Sequence, residues 1–325
     1  MGQVQLGIDI GNRSVHMVEW DGKKVREPVV EPLPEGLVKE GRIVSPAAMA
    51  DFLKGVKRTH KLHAKDASLA LHSAECFCRR FDVPAMTHQQ LKVNLSYEFR
   101  DFITQEKEKY SYDYAVLDRL DEGKRLDLMA AATAKETIAM YEDILHKAGF
   151  KLKVAIPDEV AYVNVLAKFG GEEAGQGSCC LLDLGHAAVS IHMFRQGRYQ
   201  SGRSLDYGCA ALDEAIAEHF SVAPYLACGY RETNYQGCQD LDRCKEIYNI
   251  IALEVLKAVN YYNYSNAEHP VEQVCCRGGG VGITPLVEAL ETTLSVSVKG
   301  WEALLPELER EPGSLLALGA ALQRG

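Results

Sequence analysis

Two segments of the chain carry the same order of apolar runs and short polar turns. Residues 6–30 begin with an apolar run that ends in an Asp-x-Gly motif at Asp9, and a second apolar run follows at once. Residues 181–205 repeat this order around Asp183. Turns this short join antiparallel strands, because a parallel crossover needs a dozen or more residues. The pattern therefore predicts a duplicated strand–turn–strand–turn–strand unit, with one copy in each half of the chain.

Apolar residues at three- and four-residue spacing predict amphipathic helices elsewhere. The segments with this spacing are residues 86–109, residues 135–148 with Gly149 as a stop, and residues 241–264. Shorter patterns predict a hairpin of Tyr114–Arg119 with Leu126–Ala131, a strand at Leu152–Ile156, a helix opened by Pro157 and Asp158, and a helix with Thr284 as N-cap before Pro285. The glycine-rich residues 170–178 are typical of a linker between halves.

Composition narrows the class of protein. The chain has 325 residues, 47% of them hydrophobic, which is ordinary for a globular protein of about two domains. Thirty-six basic and 45 acidic residues leave a net charge of −9, which argues against a general nucleic-acid binder. None of the ten cysteines forms a Cys-x-x-Cys motif, so we expect buried free thiols rather than a zinc site. The sequence shows neither a signal peptide nor a membrane-length apolar stretch, so we expect a soluble cytoplasmic protein.

The repeated Asp-x-Gly turns carry the chemistry that the sequence suggests. Glycine lets a phosphate approach the main chain, where successive N–H groups form an anion-binding nest. An aspartate at the strand end can hold Mg²⁺, usually through water. A third glycine cluster, Gly278–Gly280, follows an apolar run and precedes the helix at Thr284, without a Walker or Rossmann pattern. The alternative is two ordinary hairpin turns, but their matching contexts favour nucleotide binding.

The chain resembles the PilM family of type IV pilus assembly proteins, which belong to the actin-like ATPase superfamily and are related to FtsA. The resemblance is carried by these segments, in order: GIDIGNRSVHMVEW from Gly7, LPEGLVKEGRI from Leu33, FDVPAMTHQQLKVNLSYEF from Phe81, PDEVAYVNVL from Pro157, LLDLGHAAVSIHMF from Leu181 and RGGGVGITPL from Arg277. It implies an α/β actin-like ATPase fold, with two duplicated ribonuclease-H-like halves and an inserted α/β subdomain.

The resemblance also implies the domain boundaries. The first half would comprise residues 1–74 and 141–172, and the inserted subdomain residues 75–140. The second half would comprise residues 173–325, with a smaller subdomain near 207–272.

A nucleotide site follows from the same resemblance, with ATP bound between the two halves. Asp9 and Asp183 would organise Mg²⁺ through water. The phosphates would be contacted by Gly11, Asn12, Arg13, Ser14, His16 and Gly185, and the adenosine would be bordered by Gly278, Gly279 and Gly280. In the connecting helix the acidic residue near the attacking water would be Asp158, with Glu159 as the alternative.

Three positions depart from the family pattern. His16 stands where the family usually has a lysine that reaches the phosphates. Ala187 and Ala188 stand where the second loop usually has hydroxyl groups. These changes predict weak or absent hydrolysis, and they leave open whether the protein is an enzyme at all.

The family's partner would be the cytoplasmic N-terminal peptide of a PilN-like inner-membrane protein. This peptide would lie in a groove between the first subdomain and the inserted one, next to other pilus platform proteins at the inner face of the membrane. Basic and aromatic residues could clamp such an extended peptide: Arg79, Arg80 and Arg100 among Phe77, Phe81 and Phe99. We expect no nucleic-acid partner, and the oligomeric state stays open.

Three other functions remain alternatives. A pseudo-nucleotide scaffold is favoured by His16 and the two alanines of the second loop. An FtsA-like filament protein would carry an amphipathic membrane tail, whereas this sequence ends LLALGAALQRG. A small-molecule kinase of the same superfamily would need a substrate pocket, and the sequence shows no clear sugar-binding cluster.

Overall fold

A computed structural model describes residues 4–39, 41–104, 106–170, 177–308 and 312–323. The chain forms two compact units: unit 1 is Met1–Val165 with Arg310–Gly325, and unit 2 is Leu166–Glu309. The C-terminal segment thus belongs to unit 1, whereas the resemblance placed all of residues 173–325 in the second half. Most of the predicted linker, residues 171–176, lies outside the described residues.

The described residues form strands and helices in both halves of the chain. The strands are β1 Gln5–Ile10, β2 Ser14–Trp20, β3 Val29–Pro32, β4 Val38–Lys39, β5 Arg42–Ile43, β6 Asp66–Leu71, β7 Cys76–Pro84, β8 Tyr110–Leu120, β9 Arg125–Ala134, β10 Lys151–Pro157, β11 Ser178–Leu184, β12 Val189–Arg195, β13 Arg198–Leu205, β14 Val271–Arg277 and β15 Ser297–Gly300. The helices are α1 Pro46–Thr59, α2 His88–Glu98, α3 Lys135–Lys147, α4 Asp158–Phe169, α5 Cys209–Phe220, α6 Pro224–Thr233, α7 Asp242–Ser265, α8 Thr284–Leu294 and α9 Leu315–Leu322.

Unit 1 is built on a five-stranded sheet of order β10-β6-β1-β2-β3. The predicted hairpin is present, since β1 pairs antiparallel with β2 and Asp9 lies opposite His16. Strand β6 lies parallel to β1 on its other side, and β10 lies parallel to β6. Apolar residues of α1 and α3, such as Leu53 and Ile144, are fully buried in the core of this sheet. The carboxyl ends of β1, β6 and β10 therefore meet at one edge of the sheet.

Helix α9 packs directly on β1 and α4 through glycines. A Cβ on Gly7 would lie 1.7 Å from the carbonyl oxygen of Ala317, and a Cβ on Gly319 would lie 2.2 Å from that of Ala161. Ser314 caps the helix, because its Oγ accepts a hydrogen bond from the amide of Ala317. This packing brings the start of α9 to the same edge of the sheet.

The inserted region forms a three-stranded antiparallel sheet of order β7-β9-β8, with α2 against one face. Its β8–β9 hairpin confirms the predicted one and is longer than predicted. The helix predicted over residues 86–109 is wrong in its extent, since α2 ends at Glu98. Phe99 is its C-cap residue and is buried, whereas Phe102 is 53% exposed and does not continue the apolar stripe.

Unit 2 repeats the sheet of unit 1, with the order β15-β14-β11-β12-β13. Strand β11 pairs antiparallel with β12 and parallel with β14, as β1 does with β2 and β6. The long helix α7 confirms the stripe predicted over residues 241–264. The residues of this stripe are all buried in the core of unit 2: Cys244, Tyr248, Ile251, Val255, Val259 and Tyr262. The adjacent cysteines of β11 and β14 are buried free thiols, as expected from their apolar runs.

One predicted helix cap is wrong. Thr284 is the first residue of α8, its N-cap position is taken by Ile283, and the cap makes no side-chain hydrogen bond. The helix still begins next to Pro285, so the start was placed correctly within one residue.

Candidate functional site

The first Asp-x-Gly turn is closed by hydrogen bonds of its own residues. The amide of Gly11 donates to the carbonyl of Ser14 over 3.0 Å, and the Asn12 side chain accepts from the amide of Gly41 over 2.8 Å. Ser14 Oγ lies 2.8 Å from His16 Nε2. The neighbouring Arg13 has an exposed side chain. The turn therefore holds the predicted phosphate-contacting residues of unit 1 together at the end of β1.

Asp9 lies in a buried network that the sequence analysis did not predict. His72, which follows β6, places its Nε2 2.9 Å from Asp9 Oδ1 and its Nδ1 3.1 Å from Asp158 Oδ2. Ser314 donates to Asp9 Oδ2 over 2.6 Å. Asp9 and Asp158 are 5% and 6% exposed. One histidine thus bridges the aspartate of the loop and the first residue of α4.

The electrostatics of this network fix the charge of its members. Burial alone would lower the pKa of His72, but the charges and hydrogen bonds of Asp158 and Asp9 outweigh it and raise the pKa well above the ordinary value. Burial alone would raise the pKa of Asp9, but His72 and Ser314 hold it well below its usual range. The raised pKa of His72 favours its imidazolium form between the carboxyl groups of Asp9 and Asp158.

Asp158 and Glu159 have different surroundings at the start of α4. Among the described residues, no hydrogen-bond donor reaches Oδ1 of Asp158. Burial, together with the nearby charge of Asp158, raises the pKa of Glu159 to about 8. Asp158 stays the candidate for the acid–base role that the resemblance implies, with Glu159 as the alternative.

The second Asp-x-Gly turn has an equivalent cation. Arg277, the last residue of β14, lies opposite Asp183 in the parallel pairing of β11 with β14. Its Nη1 donates to Asp183 Oδ2 over 2.7 Å. In the sequence, Arg277 directly precedes the glycine cluster, and this position alone indicates no role for it.

The glycine cluster packs against this second turn. A Cβ on Gly278 would lie 2.7 Å from both Asp183 Oδ1 and the carbonyl oxygen of Leu184, and one on Gly280 would lie 2.7 Å from Leu184 Cβ. Gly278 also has φ of +93°, which favours glycine. A Cβ on Gly279 would meet nothing within 4 Å. Close packing therefore requires glycine at positions 278 and 280, whereas a side chain at position 279 would enter open space.

A second buried ion pair lies behind the turn of unit 2. Arg231 on α6 donates through Nε to Asp213 Oδ1 over 2.7 Å, and both side chains are almost fully buried. His186, next to Gly185 in the turn, places Nε2 3.4 Å from Asp213 Oδ2. No local sequence pattern indicates this cluster, because its members are 18 and 27 residues apart.

The residues at the two turns do not fit a directly bound metal. Each predicted ligand, Asp9 or Asp183, already faces a positively charged side chain at hydrogen-bond distance. In the part of the chain that the structure describes, no group of three or more His, Cys, Asp or Glu residues is placed to hold a metal ion. The water-mediated Mg²⁺ site inferred from the resemblance stays a prediction.

Most of the basic and aromatic residues suggested as a peptide clamp already have partners within the inserted subdomain, whereas the side chain of Arg100 is largely exposed. Arg79 donates to the carbonyl of Glu98 over 2.9 Å and lies over the ring of Phe81. Arg80 makes two hydrogen bonds to the buried Asp127, and Phe99 is fully buried. These side chains stabilise the subdomain itself.

No described helix combines the length and apolar character needed to cross a membrane.

Known proteins share the fold of this chain over almost its whole length. In the PilM–PilN type IV pilus biogenesis complex, the matching chain is 23% identical, with a TM-score of 0.84 over 98% of this chain and 97% of that one. The ethanolamine utilization protein EutJ from Carboxydothermus hydrogenoformans is 14% identical, with a TM-score of 0.61 over 99% and 90%. A protein from Bacteroides thetaiotaomicron with an actin-like ATPase fold is 10% identical, with a TM-score of 0.50 over 94% of each chain.

The family is shown by sequence. No curated protein matches the chain. The sequence model of the family described as type IV pilus assembly protein PilM matches residues 7–302. Together with the mixed α/β architecture and its duplicated sheets, this match establishes that the chain has an actin-like ATPase fold and belongs to the PilM family of type IV pilus assembly proteins.

Proposed function

We propose that the chain is a nucleotide-binding adaptor of a type IV pilus or related secretion or competence platform. It binds the cytoplasmic N-terminal peptide of a PilN-like inner-membrane protein and acts in the cytoplasm, at the inner face of that membrane. The observation that carries the proposal is the family match over residues 7–302. The solved PilM–PilN complex, in which the matching chain has the same fold, supports the choice of partner.

The nucleotide part of the proposal is supported by the two Asp-x-Gly turns. Each turn ends a central strand of its sheet, and the glycine next to it leaves the main chain accessible. We propose ATP as the ligand, with the phosphates near Gly11 and Gly185 and the adenosine near Gly279. Asp158 would assist any hydrolysis, which we expect to be slow or absent.

Calorimetric titration with ATP tests the nucleotide part. Wild-type protein is compared with the double variant Asp9→Asn, Asp183→Asn, and with the control Asp143→Asn, which removes an exposed aspartate paired with Lys147 on α3. We expect saturable binding by wild type and control, and at least about tenfold weaker binding by the double variant, because each loop loses the ion pair that holds its cation, His72 or Arg277, at the turn.

Fluorescence anisotropy tests the adaptor part. The labelled probe is the N-terminal cytoplasmic peptide of the PilN-like protein encoded in the same genome, and the control is the same peptide with its sequence scrambled. Saturable binding of the native peptide alone supports the adaptor. Peptide binding without ATP binding would make the protein a scaffold with an actin-like fold, and binding of neither would overturn the proposal.

A further inference from the structure

Each unit places a cation against the aspartate of its Asp-x-Gly turn. His72 lies next to Asp9 in unit 1, and Arg277 lies next to Asp183 in unit 2. Arg277 ends β14 directly opposite Asp183, whereas His72 follows β6, two residues beyond Ala70, which lies opposite Asp9. Since β6 and β14 are the parallel neighbours of β1 and β11, a similar arrangement occurs in both copies of the duplicated sheet.

The carboxylate of Asp9 is fully engaged by its neighbours. Its Oδ1 lies 2.9 Å from His72 Nε2, and its Oδ2 accepts from Ser314 Oγ over 2.6 Å. The second ring nitrogen of His72 lies 3.1 Å from Asp158 Oδ2, so both nitrogens face carboxylates and both must donate. A Mg²⁺ ion brought to either carboxylate would therefore meet the charge of an imidazolium.

The carboxylate of Asp183 has a close neighbour at each oxygen. Arg277 donates to its Oδ2 over 2.7 Å. Gly278 packs beside Oδ1, since a Cβ added to this glycine would lie 2.7 Å from that oxygen. A divalent ion that binds Oδ2 would have to displace the guanidinium.

Both loop aspartates already have a positively charged partner. A metal that bridges carboxylate and phosphate removes the repulsion between these two anions. Here Arg277 pairs with Asp183, and His72 pairs with both Asp9 and Asp158. A triphosphate that approaches the N–H groups of either turn therefore meets an aspartate that is already ion-paired.

We propose that His72 and Arg277 replace the divalent metal at the two turns, so that the chain binds ATP without Mg²⁺. This inference rests on the proposed nucleotide function and opposes the Mg²⁺ prediction drawn from the resemblance.

Titration of wild-type protein with ATP, once in Mg²⁺ and once in excess EDTA, tests the inference directly. We expect the two dissociation constants to agree within about threefold. Binding that is lost in EDTA and restored by Mg²⁺ would overturn the inference and leave the proposed function intact. Failure of ATP to bind in both buffers would overturn the nucleotide function and this inference together.

A double variant tests whether the two cations are responsible for ATP binding without Mg²⁺. His72→Gln with Arg277→Gln removes both, and we expect ATP affinity in EDTA to fall at least about tenfold and to recover in part with Mg²⁺. The matched control is His60→Gln with Arg243→Gln, which removes a histidine and an arginine from ion pairs with Glu31 and Glu246. The control should bind as wild type does, and equal losses in both variants would contradict the assignment.

A measurement without nucleotide keeps the inference testable if this double variant folds poorly. Mn²⁺ is titrated into nucleotide-free wild type and into Asp9→Asn, Asp183→Asn, and bound metal is read by electron paramagnetic resonance. We expect equal uptake by both proteins. A wild-type site that disappears in the aspartate variant would show that the carboxylates do take a metal, against the inference.

Discussion

At the scale of single residues, glycine determines how closely the C-terminal helix packs within unit 1. Gly319 of α9 lies against the backbone of Ala161 in α4, where an added Cβ would be 2.2 Å from the carbonyl oxygen. Backbone cannot move aside as a flexible side chain does, so the helix must shift to admit even a methyl group. The position of Ser314, and with it the hydrogen bond to Asp9, depends on this packing.

We predict that Gly319→Ala destabilises the protein by about 1–3 kcal/mol, because it overpacks a backbone contact. The control is Gly55→Ala in α1, where an added Cβ meets nothing within 4 Å and where alanine should stabilise the helix by about 0.5–1 kcal/mol. Chemical denaturation of both variants measures the difference. A Gly319→Ala variant as stable as wild type would contradict the packing described for α9.

The buried ion pair of unit 2 leads to a second prediction at this scale. Arg231→Met leaves Asp213 buried without its main partner, which should cost about 3–5 kcal/mol of unfolding free energy. The double variant Arg231→Met, Asp213→Leu should recover part of that loss, because no unpaired charge remains.

The comparison for this pair is Arg243→Met, which breaks an exposed ion pair with Glu246 on α7. We expect no measurable change there, since solvent screens such pairs. Equal effects of Arg231→Met and Arg243→Met in denaturation experiments would show that burial does not matter for the Arg231–Asp213 pair.

At the scale of elements, β1, β6, α4 and α9 place their ends together in unit 1. Asp9 comes from β1, His72 follows β6, Asp158 begins α4 and Ser314 caps α9. A ligand that displaces Asp9 breaks its contacts with His72 and Ser314, and one that displaces His72 breaks its contacts with Asp9 and Asp158. The network is therefore a place where binding at the loop can reach α4 and α9.

This network predicts that stability falls as pH rises from about 5 to about 8. The folded-state pKa values of His72 and Glu159 both lie above their ordinary values of 6.5 and 4.5, so the folded state binds more protons than the unfolded one. Each group therefore stabilises the fold fully below its ordinary pKa, and this contribution is lost as pH rises toward the folded value, about 8 for Glu159. We expect a loss of about 1–3 kcal/mol over this range.

Denaturant unfolding at several pH values measures the effect. Glu159→Gln should flatten the profile and should be more stable than wild type at pH 8, whereas Glu142→Gln, an exposed change on α3, should leave it unaltered. A wild-type profile that rises with pH, or a Glu159→Gln profile identical to it, would contradict this account.

At the scale of the whole molecule, the family match and the duplicated sheets place this chain among proteins with an actin-like ATPase fold. The proposed adaptor has two ligands, ATP and a PilN-like peptide. If either ligand changes the affinity for the other, thermodynamic linkage requires the same factor in both directions.

We predict that saturating ATP changes the peptide dissociation constant by about 5–150-fold, the usual range of such coupling, and that saturating peptide changes the ATP constant by the same factor. Anisotropy with the labelled peptide and calorimetry with ATP measure the two factors independently. Unchanged peptide affinity in saturating ATP would mean that nucleotide does not gate the adaptor.

Local patterns in the sequence determined most of the elements. Apolar periodicity placed α3 and α7 and both Asp-x-Gly hairpins, because burial of one face imposes the period of a helix or strand on the chain. The order of short motifs indicated the family, which the match over residues 7–302 confirms. The same periodicity extended the predicted helix beyond the end of α2 at Glu98 to include Phe102, since spacing alone does not show where a helix ends.

The partners of the loop aspartates were decided only by tertiary structure. Ser314 and Asp9 are 305 residues apart, and His72 and Asp158 are 86 apart, so no local pattern connects them. The local sign of this network in the sequence was a histidine directly after the buried run of β6. That histidine can be assigned to Asp9 only once β6 is known to lie parallel to β1. The sequence thus determined which loops this protein has, while the charge that each loop presents depends on strands and helices brought together from distant parts of the chain.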